Sequence, residues 1–327
     1  MKFFFISLIG ISVVILLVPH IIYLVVKALS LVFHFRCTYR PYALTSLGLI
    51  GLWVALAVYG NVWGRFFHEQ KAVEFKFANL PESFRGYKIV HLSDMHLDGW
   101  AGHEKQMQQI VDEVNALDAD MIVFTGDLVS LNENELTTFL PVLKQLKAKD
   151  GVYSILGNHD YMPYNRSWSD REREQHIQHL VKMERENLGW KLLMNENCII
   201  RRGNDSIAIC GSENKSMGIH SVVSRGDLNK ALKGTDGCFR ILLTHDPTHW
   251  RGEVLGKHDV PLTLSGHTHG GQMSVFGLFY VSTFIYKEHA GHYEENGQHL
   301  YVNLGLGGTM PMRVGATPEI TVMELGQ

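Results

Sequence analysis

Two uninterrupted apolar stretches open the chain. Residues 3–26, Phe3 to Val26, carry no formal charge. About 24 residues at 1.5 Å each are enough to cross a ~30 Å hydrocarbon layer. A second run, Tyr42 to Tyr59, is about 18 residues long, the lower limit for a span. Its Ser46, Gly48 and Gly51 are tolerated in a membrane helix. The first run exceeds the ~7–15 apolar residues of a cleavable leader, and no small-residue cleavage site follows it. The pattern predicts a membrane anchor over 1–64 with two transmembrane helices, 3–26 and 42–60. A single anchor followed by a buried helix is the plainer alternative.

Residues 65–84 read as a connector. From residue 85 to 327 the pattern alternates. Short apolar runs predict strands at Tyr87–His91, Met121–Phe124 and Val152–Leu156. Between them, Met107, Ile110, Val111 and Val114 fall on one helical face, as do Leu136, Phe139, Leu140 and Leu143. Residues 170–187 are charged and helix-compatible. The later half is strand-rich, with runs at Cys198–Ile200, Ile207–Ile209, Phe239–Leu243, Val260–Leu264, Leu300–Leu304 and Ile320–Met323. Strands alternating with helices, then a β-rich half, predict an α/β fold, a layered sandwich with mixed sheets.

Charge separates the two parts. Of 30 basic and 33 acidic residues, the first 64 positions hold four basic ones and no Asp or Glu. The remainder has a balance of -7, which excludes an electrostatic nucleic-acid binder. Lys27, Arg36 and Arg40 in the connecting loop favour a cytoplasmic loop, whereas Arg65, Lys71 and Lys76 pull the other way. The balance leans to a domain outside the cytoplasm. The four cysteines have no CxxC spacing, which argues against zinc ribbons and thioredoxin-like motifs.

Five short segments end predicted strands: His91-Leu92-Ser93-Asp94-Met95-His96, Thr125-Gly126-Asp127, Gly157-Asn158-His159-Asp160, Leu243-Thr244-His245-Asp246 and Ser265-Gly266-His267-Thr268-His269-Gly270. Ligands of α/β sheets gather beyond the carboxyl ends of strands. Carboxylate, amide oxygen and imidazole suit Mn, Fe, Zn or Mg, and the lack of thiolates argues against a structural zinc site. Asp94 and His96, two residues apart, can reach one ion together, and His267 and His269 can do the same or split between two adjacent ions.

With these five segments the chain resembles the calcineurin-like metallophosphoesterases, over roughly residues 84–327. The Gly266-His267-Thr268-His269-Gly270-Gly271-Gln272 and Gly157-Asn158-His159-Asp160-Tyr161 runs are similar to its membrane-anchored bacterial phosphodiesterase branch. The resemblance implies two mixed β-sheets flanked by helices and two divalent metal ions. It implies that Asp94, His96 and His269 hold one ion, that Asn158, His245 and His267 hold the other, and that Asp127 bridges both. His159 would contact the phosphate and help the leaving group, with Asp160 orienting it. The reaction implied is hydrolysis by a metal-bridged hydroxide at a bacterial cell membrane.

The run after Asp127 departs from the protein-phosphatase pattern, with Ser130 where an Asp would stand and Asp160 in place of a Glu. A phosphodiester or pyrophosphate, lipid-linked ones included, is therefore expected over a phosphoprotein. Tyr161 and Tyr164 are candidates for the substrate mouth, Asp98 for an outer support of the metals, and Arg313 for a phosphate contact. Gly305, Gly307 and Gly308 read as a turn. Two alternatives stand beside this reading: a UDP-diacylglucosamine pyrophosphatase of lipid A synthesis, and a non-catalytic envelope-binding protein with a structural metal site.

Overall fold

The computed structural model describes residues 2–218 and 223–327, with side chains from residue 9 onward. Contacts divide the chain into two units. The first comprises residues 1–65 and 310–314. It is built on helices α1 (Lys2–Phe33) and α2 (Arg40–Tyr59). Stretches Ile9–Phe33 and Arg40–Gly64, 25 residues each, are long and apolar enough to cross a membrane. Helix α1 runs past the predicted end at 26 because Leu29, Leu31, Val32 and Phe33 continue the apolar pattern beyond the lone Lys27. The helices share polar contacts. Ser46 Oγ donates to the Leu16 carbonyl (2.8 Å) and Trp53 Nε1 to Ser12 Oγ (3.1 Å), the kind of tie that joins helices in an apolar medium. Arg313 belongs to this unit, where its backbone N–H donates to the Gly60 carbonyl (3.1 Å).

The second unit comprises residues 66–309 and 315–327. Its strands are β1 (Glu69–Lys76), β2 (Tyr87–Leu92), β3 (Met121–Phe124), β4 (Val152–Ser154), β5 (Lys191–Leu192), β6 (Glu196–Arg202), β7 (Asp205–Gly211), β8 (Phe239–Leu243), β9 (Leu262–Ser265), β10 (Ser274–Val275), β11 (Phe279–Tyr280), β12 (Gly291–Glu295), β13 (Gln298–Val302) and β14 (Glu319–Gly326). They form two six-stranded sheets, ordered β1-β14-β2-β3-β4-β5 and β12-β13-β9-β8-β7-β6, and the small hairpin β10-β11. Both large sheets are mixed. In the first, β2 through β5 run parallel and β14 opposes β2. In the second, β7, β8, β9 and β13 run parallel, with β6 and β12 antiparallel at the edges. The stretch read as a connector thus carries β1. Its inward face is Lys71, Val73 and Phe75, and with a lysine at one of the three positions the hydrophobic alternation is too short to register as a strand.

Successive strand residues serve opposite cores. Val123 and Tyr153 meet Ile209, Ile241 and Leu264 between the two sheets. Ile122 and Phe124 instead pack under helices α3 (Glu104–Ala116), α4 (Asn134–Leu143) and α5 (Asp170–Lys182), against Ile110, Phe139 and Leu180. On the far side, Ala208, Leu242 and Val302 pack against Trp250, Val254 and the short helix α6 (Leu228–Leu232). With both faces covered, the parallel strands are continuous apolar runs, which is why they were legible in sequence.

Glu184 is buried in the turn after α5. Ser154 Oγ donates to its Oε2 (2.7 Å), and Oε1 has no hydrogen-bond partner among the described residues. Burial, with the nearby Asp160 charge, pushes its carboxyl up to about 8. The folded chain therefore keeps a proton that the unfolded chain loses. Stability is fully present below the ordinary Glu range and falls as pH rises towards 8, by at most about 1.4 kcal/mol per pH unit. Glu184→Gln should flatten that slope and melt at higher temperature than the wild type at pH 9. Melting curves of both proteins from pH 5 to 9 check this; parallel profiles would contradict it.

Candidate metal centre

The carboxyl ends of β2, β3, β4, β8 and β9 deliver the five polar segments to one place. Asp94, His96, Asp127 and His269 bring their ligand atoms within 4.8 Å of one another. Asp127, His245 and His267 do the same, so the two groups share Asp127. His96 Nε2 lies 3.2 Å from His269 Nε2 and 3.5 Å from Asp127 Oδ2. His269 Nε2 is 3.4 Å from Asp94 Oδ1. On the other side, His245 Nε2 stands 3.2 Å from Asp127 Oδ2, 3.1 Å from the Asn158 amide oxygen and 3.1 Å from His267 Nδ1. All seven residues named from the sequence as metal ligands are therefore neighbours across some 175 positions.

The backbone is bent to achieve this. Twelve non-glycine residues have positive φ among those described, and five of them are Asp94, His96, Asp127, His267 and His269. Such conformations cost of order 1–3 kcal/mol each and cluster at functional sites. Close backbone approach completes the site. A Cβ on Gly157 would strike the Asp127 carboxylate, and one on Gly266 would strike Ser93 Oγ and Asp94 Oδ2. The Gly266 contact joins the two sheets, as do the His267 amide on Asp94 (3.0 Å) and His245 Nδ1 on the Thr125 carbonyl (2.8 Å).

Hydrogen bonds select tautomers. A carbonyl only accepts, so His245 Nδ1 carries a proton and its Nε2 faces Asp127. By the same rule His159 donates Nδ1–H to the Ser130 carbonyl (2.9 Å). Its amide donates to Asp127 Oδ1 (2.8 Å), and its ring lies against His96 and Tyr164. The Asp160 carboxylate meets backbone amides and not the His159 ring, so the orienting role expected of it from the sequence would act through the turns. This buried carboxylate accepts from the amides of Asp127 (2.7 Å), Val129 (3.0 Å) and Gly157 (2.8 Å). It is a backbone brace that fixes both turns. Burial, reinforced by the Asp127 charge, pushes it up to about 7.

Charge in the cleft is uneven. Burial pushes Asp94 up to about 6, with His245 opposing and Asp127 adding to the rise. Burial acts the same way on Asp127, but His245 and His159 outweigh it and hold that carboxyl well below its usual range. Burial would lower His245, yet Asp127 raises it to about 10. Inward-facing imidazoles whose ring nitrogens approach to 3.1–3.2 Å beside two carboxylates form a compact set of metal-ligating atoms. A divalent ion fits it, in exchange for the proton held between His245 and Asp127.

Sequence reading missed four supports. Tyr286 OH (3.0 Å) and Asp246 Oδ2 (3.6 Å) approach His267 Nε2. The Ser130 carbonyl holds His159, and Glu135 clasps the loop behind it. The Glu135 carboxylate accepts from the amides of Ser130, Leu131, Asn132 and Asp98. Glu135 is the second residue of α4, and only its fit to a turn of bare amides could have marked it. Asp98 itself is exposed. Tyr161 donates to Glu213 (2.9 Å) and is buried, whereas Tyr164 is exposed and accepts from Asn158 Nδ2 (3.3 Å). The segment after β13 buttresses the floor, as the Leu306 and Gly307 amides donate to the Ser93 and Asp94 carbonyls (3.0 and 2.7 Å). Glu135→Ala should loosen the Ser130 loop and lower turnover by about 10–100-fold, the usual outer-support effect, with metal content unchanged. Metal loss in that variant would show that the loop holds the ligands instead.

Residues 87–271, more than half of the chain, match the profile of the family described as calcineurin-like phosphoesterases. A transmembrane protein with metallophosphoesterase domain from Danio rerio is 33% identical over 291 residues, 86% of this chain and 63% of that protein. Its namesake from Bos taurus is 33% identical over 264 residues, 77% of this chain and 56% of that one. The chain thus spans less than two thirds of these two vertebrate relatives. The metallophosphoesterase YkuE of Bacillus subtilis (strain 168) is 31% identical over 265 residues, 75% of this chain and 81% of YkuE. On this ground the chain belongs to the calcineurin-like phosphoesterases, a family of metal-dependent phosphoester hydrolases.

Proposed function

We propose that the chain is a membrane-anchored hydrolase of phosphodiesters or pyrophosphates that works with two divalent metal ions. Asp94, His96 and His269 hold one ion; Asn158, His245 and His267 hold the other; Asp127 serves both. What carries this reading is the pair of donor groups that overlap at Asp127, with His159 beside them. When bound, such ions supply Lewis acidity and lower the pKa of a coordinated water. The chain's own residues do the rest. Two carboxylates and a neutral Asn158 leave a doubly loaded site positive, ready for a phosphate anion. Asp160 sets the turns that aim Asp127 and His159. With Nδ1 committed to Ser130, His159 presents Nε2 to the substrate as the atom that gives a proton to the departing oxygen. The apolar spans anchor this site at a bilayer, and the domain lies on the outer side.

Hydrolysis of bis-p-nitrophenyl phosphate by the full chain with added Mn tests the reading. Release of nitrophenolate, faster than from the monoester p-nitrophenyl phosphate, is the expected outcome. No release with two metal equivalents bound would point to a binding protein instead.

A further inference from the structure

The hairpin beyond the His267–His269 motif is built against the usual rules for a surface. From Gly270 to Tyr286 the chain has no charged residue. Seven large apolar side chains between Val275 and Ile285 are exposed, with Phe276 and Phe284 at 90% and 91% and Leu278 and Phe279 at 72%. The turn that joins β10 to β11 puts both Phe276 (φ 56°) and Gly277 (φ 66°) in the left-handed region. Such a turn favours Asn-Gly, and a bulky residue there is a genuine outlier. Phe276 is strained and packs on almost nothing in its own chain. Its benefit must lie outside it.

The hairpin is fixed to the candidate metal centre. The Val281 amide donates to the Met273 carbonyl (3.0 Å), and a Cβ on Gly270 would strike the Tyr280 ring. Tyr286, at its end, meets His267 Nε2 at 3.0 Å. The apolar tip is therefore displayed beside the site on a short, braced stalk, with exposed Lys287 following. The occupant is set by the rest of the chain. Only four residues separate the apolar stretch ending at Gly64 from β1, which allows a reach of roughly 17 Å. On the anchored reading, a domain on so short a tether works within reach of lipid. A narrow, convex, charge-free tip with tyrosines at its base suits the acyl–headgroup boundary, whereas a second copy would need about 800 Å² of matched surface.

We propose that the 274–285 hairpin dips into the bilayer, and that the site takes its substrate, an amphiphilic phosphoester, from the lipid surface. This rests on the hydrolase reading above. The test uses the full chain in vesicles of phosphatidylethanolamine and phosphatidylglycerol, with two probes that share a leaving group. One is soluble bis-p-nitrophenyl phosphate. The other is a diacylglycerol p-nitrophenyl phosphodiester, from which water displaces nitrophenolate at phosphorus and leaves phosphatidic acid. Phe276→Ser with Phe284→Ser should lower the ratio of bilayer to soluble turnover by about tenfold or more. An unchanged ratio overturns the proposal. In parallel, a photoreactive benzoylphenylalanine placed at 276 should give an adduct with lipid; an adduct with a second chain, or none, overturns it. If neither probe is hydrolysed, the hydrolase reading falls, and the photo-adduct alone decides whether the hairpin meets the bilayer.

Discussion

Asp127→Asn is expected to strip the protein of metal and of activity together. The substitution keeps the shape of the side chain and removes one charge. That charge faces His245 Nε2 at 3.2 Å and His96 Nε2 at 3.5 Å, one from each donor group. The loss should therefore reach both groups at once. Outer supports of a metal site cost about 10–100-fold when removed, so loss of a shared ligand should cost roughly a thousandfold or more. Elemental analysis of the purified variant, beside its turnover, checks this. Full metal content in Asp127→Asn would sink the shared role. A fall to one equivalent with partial turnover would assign Asp127 to a single ion.

His159→Ala should behave differently. Its ring is anchored through Nδ1 to a carbonyl and does not belong to either donor group. Metal content should stay at the wild-type level while kcat falls by about 10²–10⁴-fold, the usual contribution of a positioned proton donor. The loss should grow with the basicity of the leaving group, being larger for an alkyl ester than for a nitrophenyl ester. An equal loss on both would remove proton transfer from its duties and leave phosphate contact.

The two predictions rest on residues that were readable in advance. Asp94, His96, Asp127, Asn158, His245, His267 and His269 stood out because each follows an apolar run within two residues of glycine or another polar donor. Runs such as Met121–Phe124 were readable because a strand covered on both faces has no polar alternation to confuse it with a surface helix. What the sequence hid is of two kinds. Partners that are backbone atoms, such as the carbonyls of Thr125 and Ser130 or the amides braced by Asp160, leave no trace in residue identity. Long-range order leaves none either. Nothing in Glu69–Lys76 or Glu319–Gly326 announces that they pair, since register across 250 positions has no local period. The positive φ at five candidate ligands was hidden for a third reason. Glycine is the usual sign of that geometry, and here Asp and His occupy it.

The strand order β1-β14-β2 has a consequence for how the molecule is made. β1 leaves the ribosome soon after the apolar helices, yet its only partner among the described strands, β14, is the last of them to be synthesised. β2 also waits for β14 on one side. The nascent domain must hold an open edge until β14 is made and slides between β1 and β2. Such late, non-local closure is slow and leaves unpaired edges prone to aggregation. Premature termination even a few codons upstream of β14 would leave β1 and β2 without that partner, an unsealed edge open to proteolysis.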